Sequence, residues 1–303
     1  MSTVSPAASD GVRQALSDGL VVTWRYLKRI PRIPELAIFA ILQSIMFVLL
    51  FTVVFGGAIP LPGGASYAAY LMPGIFVQTL TFASATTAIG MTEDLHKGII
   101  DRFRSLPMAR SAVLFGRSVS DVIYNGGILI VLMLAGLAVG WSVNNGIAPF
   151  LFGVVLALAY AFVMSWVGVW LGLRLPSVEV AQQVSFIVIL PLTFISNVFV
   201  PIGTLPEWLQ PIAAWNPVST LTASLRELWG NPNPFPAEGL PGEYPILVTL
   251  GWYVVLLAVF SAYFEGEVVG QGAEGSRLWG IAVGIAMLVT AVIAPILGTV
   301  ADF

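Results

Sequence analysis

Long apolar runs dominate this chain, and short polar or charged segments separate them. Six windows contain no Asp, Glu, Lys or Arg, and each approaches or exceeds the roughly 20 residues that cross a bilayer core. They run at about 36–58, 70–92, 122–140, 150–172, 180–202 and 245–264. The pattern predicts an all-α integral membrane protein with six transmembrane helices.

A seventh apolar window at 278–300 follows a linker, 265–277, that holds three acids and one base. Such a linker gives almost no orientation signal, so the sequence leaves open whether this window spans the membrane. If it does, the C-terminus lies outside. We divide the chain into a cytoplasmic tail with an amphipathic helix (1–35), a transmembrane domain (36–264), and the acidic linker with the seventh window (265–303).

Basic residues give the orientation. Most of the 13 Lys and Arg residues fall before the first window, between the second and third, or after the fourth: Arg13, Arg25, Lys28, Arg29, Arg32, Lys97, Arg102, Arg104, Arg110, Arg117 and Arg174. The positive-inside rule assigns these segments to the cytoplasm. We therefore expect a multi-pass protein of the cytoplasmic membrane with its N-terminus inside.

Composition excludes several classes of function. Of 303 residues, 57% are apolar and 10% are charged, against about 25% charged in soluble domains. Cysteine is absent and His96 is the one histidine, so we expect neither a disulfide framework nor a Cys- or His-rich metal site. A net charge of −3 gives no reason to expect a nucleic-acid partner.

Two cytoplasmic segments carry amphipathic patterns. In 11–30, Leu16, Leu20, Trp24 and Leu27 form an apolar stripe beside basic residues, which predicts a helix on the headgroup layer. It serves either as a topological anchor or also as a contact to a partner. In 93–110, one helix face would carry an apolar stripe and another a charged stripe, and Pro107 would end it. That ridge fits a groove on another protein, or else it packs on the ends of the bundle.

The segment 190–229 is too apolar for a solvated loop and too rich in proline for one spanning helix. It predicts two short helices that enter the outer leaflet, with Trp208, Trp215 and Trp229 at interface depth. Asn216 before Pro217 should cap the second helix. Arg226 and Glu227 are expected where water still reaches.

Residues in the charged link and in the outer segment together resemble the pattern of a known family. With Glu93, Gly98, Arg102, Leu106 and Pro107 in the charged link, and Asn216, Pro217 and Arg226 in the outer segment, the chain resembles the ABC-2 type permease family over about 10–264. It is most similar to drug- and lipid-exporter permeases of the daunorubicin-resistance kind. The tail after 264 departs from that pattern, since such permeases usually stop soon after the sixth span.

The resemblance implies a six-helix half-transporter with an N-terminal connecting helix, a cytoplasmic coupling helix at about 93–106 and an outer re-entrant pair at about 204–229. It implies two P-loop ATPase subunits and a second copy of this permease or a paralogous one. The implied contacts to the ATPase are Glu93, Asp94, Gly98, Arg102, Phe103, Arg104, Leu106 and Pro107. The implied outer residues are Trp208, Trp215, Asn216, Pro217 and Arg226.

The chain lacks the Gly-Lys-Ser/Thr of a P-loop, because its lysines are Lys28, followed by Arg, and Lys97, which precedes Gly-Ile. We expect no enzyme activity and no cofactor in this chain, with ATP and Mg²⁺ bound by a partner ATPase. The predicted function is export of an amphipathic drug or lipid-like molecule. The alternatives are an ion-coupled secondary transporter, which would usually need an ionisable group within the six windows, and a polysaccharide-exporter permease.

Uncharged polar residues inside the windows are the candidates for a substrate path. Those singled out are Gln43, Gln78, Gln182 and Asn197, beside Ser44, Thr79, Asn125, Gln183 and Ser196. The alternative for each is a contact between helices. Three glycine pairs are spaced to permit close helix approach, namely Gly136 and Gly140, Gly168 and Gly172, and Gly280 and Gly284, although this spacing is frequent in apolar sequence. A lining without charge favours an amphipathic cargo over a strongly charged one.

Overall fold

A computed structural model of the protein describes residues 8–28, 34–55, 66–99 and 110–264. The regular structure of these residues is helical. Its α-helices are α1 (Ala8–Leu27), α2 (Pro34–Phe55), α3 (Tyr67–His96), α4 (Arg110–Ala138), α5 (Ile147–Arg174), α6 (Val178–Phe194), α7 (Gln210–Trp215), α8 (Pro217–Trp229), α9 (Leu240–Glu243) and α10 (Pro245–Phe264).

The six predicted windows correspond to α2, α3, α4, α5, α6 and α10. Three helical stretches are long and apolar enough to cross a membrane, namely Tyr67–His96, Gly116–Ala138 and Ile147–Arg174. The stretches Ile38–Thr52, Val178–Phe194 and Pro245–Phe260 are shorter apolar helices. The all-helical class is confirmed, and the six-span topology stays a prediction. The linker 265–277 and the window 278–300 lie outside the described residues.

The central helix is α3, which packs against α2, α4, α5, α6 and α8. Its approach to α5 is close because α5 presents two glycines to it. A Cβ on Gly168 would lie 2.4 Å from the carbonyl oxygen of Ser84, and one on Gly172 would lie 2.5 Å from that of Ala88. The close approach predicted from this glycine pair is confirmed.

The fifth window ends earlier than predicted. α6 stops at Phe194, so the predicted helix at 180–202 is wrong in its last third. The Asn216 amide nitrogen donates to the carbonyl oxygens of Leu192, at 2.7 Å, and Ile195, at 2.6 Å. Those carbonyls would accept bonds from the next turn of a continuing helix, so their capture by Asn216 favours a turn instead.

Helix α1 lies along α4. The Thr23 hydroxyl donates to the carbonyl oxygen of Gly116 at 3.1 Å, and a Cβ on Gly116 would lie 2.7 Å from the carbonyl oxygen of Gly19. The predicted apolar stripe points away from this contact, since Leu20 is 62% exposed and Trp24 is 61% exposed. Leu20 and Trp24 therefore remain accessible to lipid or to a partner, while Val22 and Thr23 are buried on the opposite side of α1.

Candidate functional site

A cavity of about 340 Å³ lies between α2, α3, α4 and α6. None of the described residues that line it is charged. Its polar lining comprises Gln43, Ser44, Gln78, Thr79, Asn125 and Gln182, and its aromatic lining comprises Phe39, Phe47, Phe82, Tyr124 and Phe186. Three of the four candidate path residues meet here. Asn197, the fourth, lies elsewhere.

The cavity lies toward one end of the bundle. That end, which we call the α1 end, carries α1, the end of α3 at His96 and the start of α6 at Val178. On α3 the lining begins at Gln78 and reaches Ile89, and on α6 it comes from the second and third turns. The opposite end, which carries α8, is called the α8 end.

The polar lining divides into paired and unpaired groups. The Ser44 and Thr79 hydroxyls lie 2.8 Å apart, and each also donates to a carbonyl of its own helix. Gln78 and Asn125 are 3% and 4% exposed. Gln78 Nε2 and Asn125 Oδ1 have no hydrogen-bond partner in the part of the chain that the structure describes. Both atoms are themselves buried, as are other unpaired atoms such as Asn197 Oδ1 and Arg226 Nη1, and each such group costs about 1–3 kcal/mol of stability.

Aromatic rings fill the α8 end. The ring centroids of Phe76, Trp141 and Trp229 lie 5.2 to 5.8 Å apart in edge-to-face pairs. The Trp141 indole nitrogen donates to Asn231 Oδ1 at 2.9 Å, which ties the segment before α5 to the end of α8. Trp229 is completely buried among these rings, and its predicted depth at the membrane interface stays a prediction. The bundle is packed with rings at this end, and none of these three rings lines the cavity.

Arg226 is completely buried, and the expectation that water reaches it is wrong. Its Nε donates to the carbonyl oxygen of Tyr70 at 3.0 Å, and Nη2 donates to that of Asn197 at 2.9 Å. The guanidinium carbon lies 3.6 Å from the centroid of the Tyr70 ring. Within the described residues no carboxylate pairs with it. The turn after α6 leaves backbone carbonyls without helical partners, and these replace water around the cation.

The outer pair of short helices has the predicted break. Asn216 is the N-cap of α8 and accepts from the backbone nitrogen of Val218 at 2.9 Å, and Pro217 occupies the first helical position. The capping prediction is confirmed. Trp208 and Trp215 are 73% and 51% exposed, as interface residues would be. Whether α7 and α8 lie in the membrane stays a prediction.

A buried charged network lies at the α1 end. Asp94 Oδ2 accepts from the Tyr26 hydroxyl at 2.8 Å and from Arg117 Nη1 at 3.3 Å. Arg117 also contacts Asp121, whose Oδ2 accepts from the Thr87 hydroxyl at 2.8 Å. Burial raises the pKa of the Tyr26 phenol to about 12, so Tyr26 remains a donor at physiological pH. The network joins α1, α3 and α4.

This network was missed in the sequence. Asp94 was predicted on a charged stripe that faces a partner, yet it is 1% exposed and binds within the chain. Arg117 and Asp121 are four residues apart on α4, and that spacing was the available signal for a pair. Both fall inside the membrane-length stretch Gly116–Ala138, so the prediction that the spans lack ionisable groups needs correction.

The predicted coupling helix is partly described. α3 continues to His96, and Gly98 takes a φ of 63°, so one unbroken helix over 93–106 is wrong. Only glycine adopts this backbone conformation readily, which explains the break. Glu93 and Lys97, which are four residues apart, form an ion pair near the surface. The remaining candidates, Arg102, Phe103, Arg104, Leu106 and Pro107, lie outside the described residues.

Comparison with known proteins agrees with these features. The family described as ABC-2 type transporter matches residues 19–228. "Daunorubicin resistance ABC transporter permease protein DrrB1" of Streptomyces coeruleorubidus is 31% identical over 247 residues, covering 82% of this chain and 84% of that protein. "Probable doxorubicin resistance ABC transporter permease protein DrrC" of Mycobacterium tuberculosis is 26% identical over 253 residues, covering 82% of this chain and 86% of that protein. The chain therefore belongs to the ABC-2 type transporter family.

Proposed function

We propose that this chain is the permease subunit of an ATP-driven exporter that moves an amphipathic drug or lipid-like molecule out across the cytoplasmic membrane. One observation carries the proposal: the uncharged cavity of about 340 Å³ near the α1 end, with the α8 end filled by aromatic rings. If the α1 end is cytoplasmic, this arrangement receives cargo from inside. The drug-resistance names of the two relatives support the cargo class.

Energy comes from a separate P-loop ATPase that binds ATP and Mg²⁺, with two copies per complex. Its contact is the end of α3 and the following link, from Glu93 through Gly98 to Pro107. Asp94 connects this end to Tyr26 of α1 and Arg117 of α4. A displacement of the α3 end on ATP binding would thus pull on α1 and on α4, which lines the cavity.

The proposed topology has six spans with the N-terminus inside and α7 and α8 re-entrant from the outside. A second permease protomer, identical or paralogous, covers the face of α2 and α6 beside the cavity, and lipid covers the rest. This face is apolar and exposed at Leu42, Met46, Ile187 and Val188. Gln182 and Gln183 are also exposed there, and amide side chains suit a protein partner better than lipid.

The test is ATP-dependent uptake. The tagged full-length permease is co-purified with its ATPase. Inside-out vesicles that contain both proteins are then incubated with daunorubicin, and quenching of its fluorescence reports accumulation inside the vesicles. We expect uptake with ATP and none when the P-loop lysine of the ATPase is replaced by alanine. Uptake without any ATPase would contradict the proposal.

The second candidate is an ion-coupled transporter, which the buried Asp121 beside Arg117 favours, because such machines carry ionisable groups at membrane depth. The same vesicles separate the two. A proton or sodium gradient imposed without ATP would drive uptake in this case, and Asp121→Asn would abolish it.

Topology is tested separately in a chain without native cysteine. Arg110→Cys and Pro234→Cys are each treated in intact cells with a membrane-impermeant thiol reagent. We expect labelling at position 234 alone. Labelling at position 110 would contradict the orientation.

A further inference from the structure

Helix α1 turns one face away from the rest of the described chain. On its other face, Thr23 bonds to α4 and Tyr26 bonds to α3. The exposed side chains from position 17 onward are Ser17, Leu20, Val21, Trp24, Arg25 and Lys28. Three of these are large and apolar, two are basic and none is acidic. The outward face of α1 is therefore apolar and positively charged at once.

Lys28 lies at the C-terminal edge of this face, over the ring of Trp24. Its Nζ is 5.3 Å from the centroid of the ring, and its backbone nitrogen donates to the Trp24 carbonyl oxygen at 3.0 Å. At a membrane surface, a tryptophan ring packs among the upper acyl chains while a lysine stem carries its ammonium up to the headgroups. The pair of Trp24 and Lys28 has the composition of such a contact.

The start of α2 limits how far this end of α1 can lie from the bilayer. Lys28 and Pro34 are six positions apart, so the chain between them reaches about 20 Å at most. α2 is an apolar helix from Ile38 to Thr52, and it is the first span of the proposed topology. The end of α1 that carries Lys28 is therefore within reach of the headgroup layer.

A second tryptophan and cation pair lies at the α1 end. Arg174 ends α5, and its guanidinium carbon is 5.2 Å from the centroid of the Trp170 ring. The spacing of four residues is the same as that between Trp24 and Lys28. At the α8 end, by contrast, none of the described basic residues is exposed. The α1 end is also the one that the basic residues assign to the cytoplasmic leaflet, whose surface carries anionic lipid.

We infer that Trp24 and Lys28 form a headgroup site for an anionic phospholipid, with Leu20 and Val21 among the upper acyl chains. Lipid fits this face better than the ATPase does, because the proposed ATPase contact lies at the end of α3 and the link after it. One basic residue beside an anionic surface should give about a fivefold preference for anionic lipid. The inference does not depend on cargo export.

The test uses the full-length chain in lipid nanodiscs, which has no native cysteine. Val21→Cys, at an exposed position of this face, is labelled with the fluorophore NBD. Nanodiscs of phosphatidylcholine receive a rising fraction of nitroxide-labelled phosphatidylserine or, in parallel, of phosphatidylcholine labelled at the same acyl carbon. We expect the serine lipid to reach half-maximal quenching at a mole fraction about fivefold lower than the choline lipid.

Substitutions in the labelled chain assign the preference to the pair. Lys28→Gln and Trp24→Leu should each reduce it to about twofold or less. Lys97→Gln is the matched control, because Lys97 is also exposed at the α1 end but lies on the segment after α3, and the fivefold preference should remain. Lys28→Glu guards against misfolding, since it should reverse the preference toward the choline lipid while quenching is kept.

Four results would overturn the inference. The first is equal quenching by the two lipids in the labelled chain without further substitution. The second is a serine-lipid preference that survives Lys28→Gln or Trp24→Leu. The third is loss of the preference in Lys97→Gln, which would indicate a general effect of net charge. The fourth is the absence of quenching by either lipid, which would show that protein covers this face of α1.

Discussion

Arg226 should be the strongest single polar determinant of the α8 end. Arg226→Met removes three hydrogen bonds, to the carbonyls of Tyr70, Asn197 and, more weakly, Val198, and a cation–π contact with the Tyr70 ring. Each charge-assisted bond contributes about 1.5–3 kcal/mol and the desolvated ring contact about 2 kcal/mol. The methionine variant no longer buries a guanidinium without a counter-ion, and this restores several kcal/mol to the free energy of unfolding. We expect a net loss of about 3 kcal/mol in the free energy of unfolding.

A lysine at this position separates geometry from charge. Arg226→Lys retains the positive charge but loses the planar guanidinium. A compact ammonium cannot stack on the Tyr70 ring and also donate to the carbonyls of two different segments. We therefore expect a loss close to that of Arg226→Met. Glu227→Gln, at the exposed neighbour on α8, is the matched control and should change stability by about 0.5 kcal/mol or less.

The assay is thermal unfolding of the full-length protein in nanodiscs, paired with co-purification of the ATPase. A loss of about 3 kcal/mol corresponds to a fall of about 5 °C in Tm for a chain of 303 residues. ATPase binding should be unchanged, because the proposed contact lies at the α1 end. A wild-type Tm for Arg226→Lys would refute the role of the planar guanidinium, and a wild-type Tm for both variants would refute the whole role.

Three further predictions concern other contacts. Tyr26→Phe removes a 2.8 Å bond to Asp94, so it should lower cargo-stimulated ATPase turnover while cargo binding is kept. Tyr244→Phe, at an exposed tyrosine, is its control, and unchanged turnover in Tyr26→Phe would contradict the coupling role. Asn216→Leu removes the α8 cap, which is worth about 1 kcal/mol, and leaves the carbonyls of Leu192 and Ile195 without their donor. Tm and export should both fall, and full export would show that this junction is dispensable. Gly168→Ala places a Cβ against α3 and should cost about 1–3 kcal/mol by thermal unfolding, whereas Gly127→Ala, which meets nothing within 4 Å, should cost nothing.

Local patterns predicted the parts of this fold that depend on local chemistry. The apolar windows located the six apolar helices, and Asn216 before Pro217 located a helix start, because a cap needs only its own neighbours. The glycine spacing on α5 predicted a close approach to another helix. Each of these depends on residues within one or two turns of one another.

Charged residues were the least predictable, since their burial depends on partners distant in the chain. Asp94 has the spacing of a surface stripe, yet Tyr26 and Arg117 enclose it from two other helices. Arg226 lies in a segment that reads as an interface, yet carbonyls from α3 and the turn after α6 surround it. A sequence pattern records which face of a helix is polar but not which faces meet.

The amides inside the apolar windows illustrate the same limit at the candidate site. Gln78 and Asn197 are equivalent by pattern, since each is an isolated amide in an apolar run. In the fold, Asn197 contributes its backbone carbonyl to Arg226 and Tyr70, so its position is part of the packed α8 end. Gln78 instead lines the cavity, and its amide nitrogen, like Asn197 Oδ1, is buried without a hydrogen-bond partner among the described residues. The two amides are thus alike in their neighbours along the chain and in their unpaired atom, and only the packing of distant helices decides which of them lies beside a cavity.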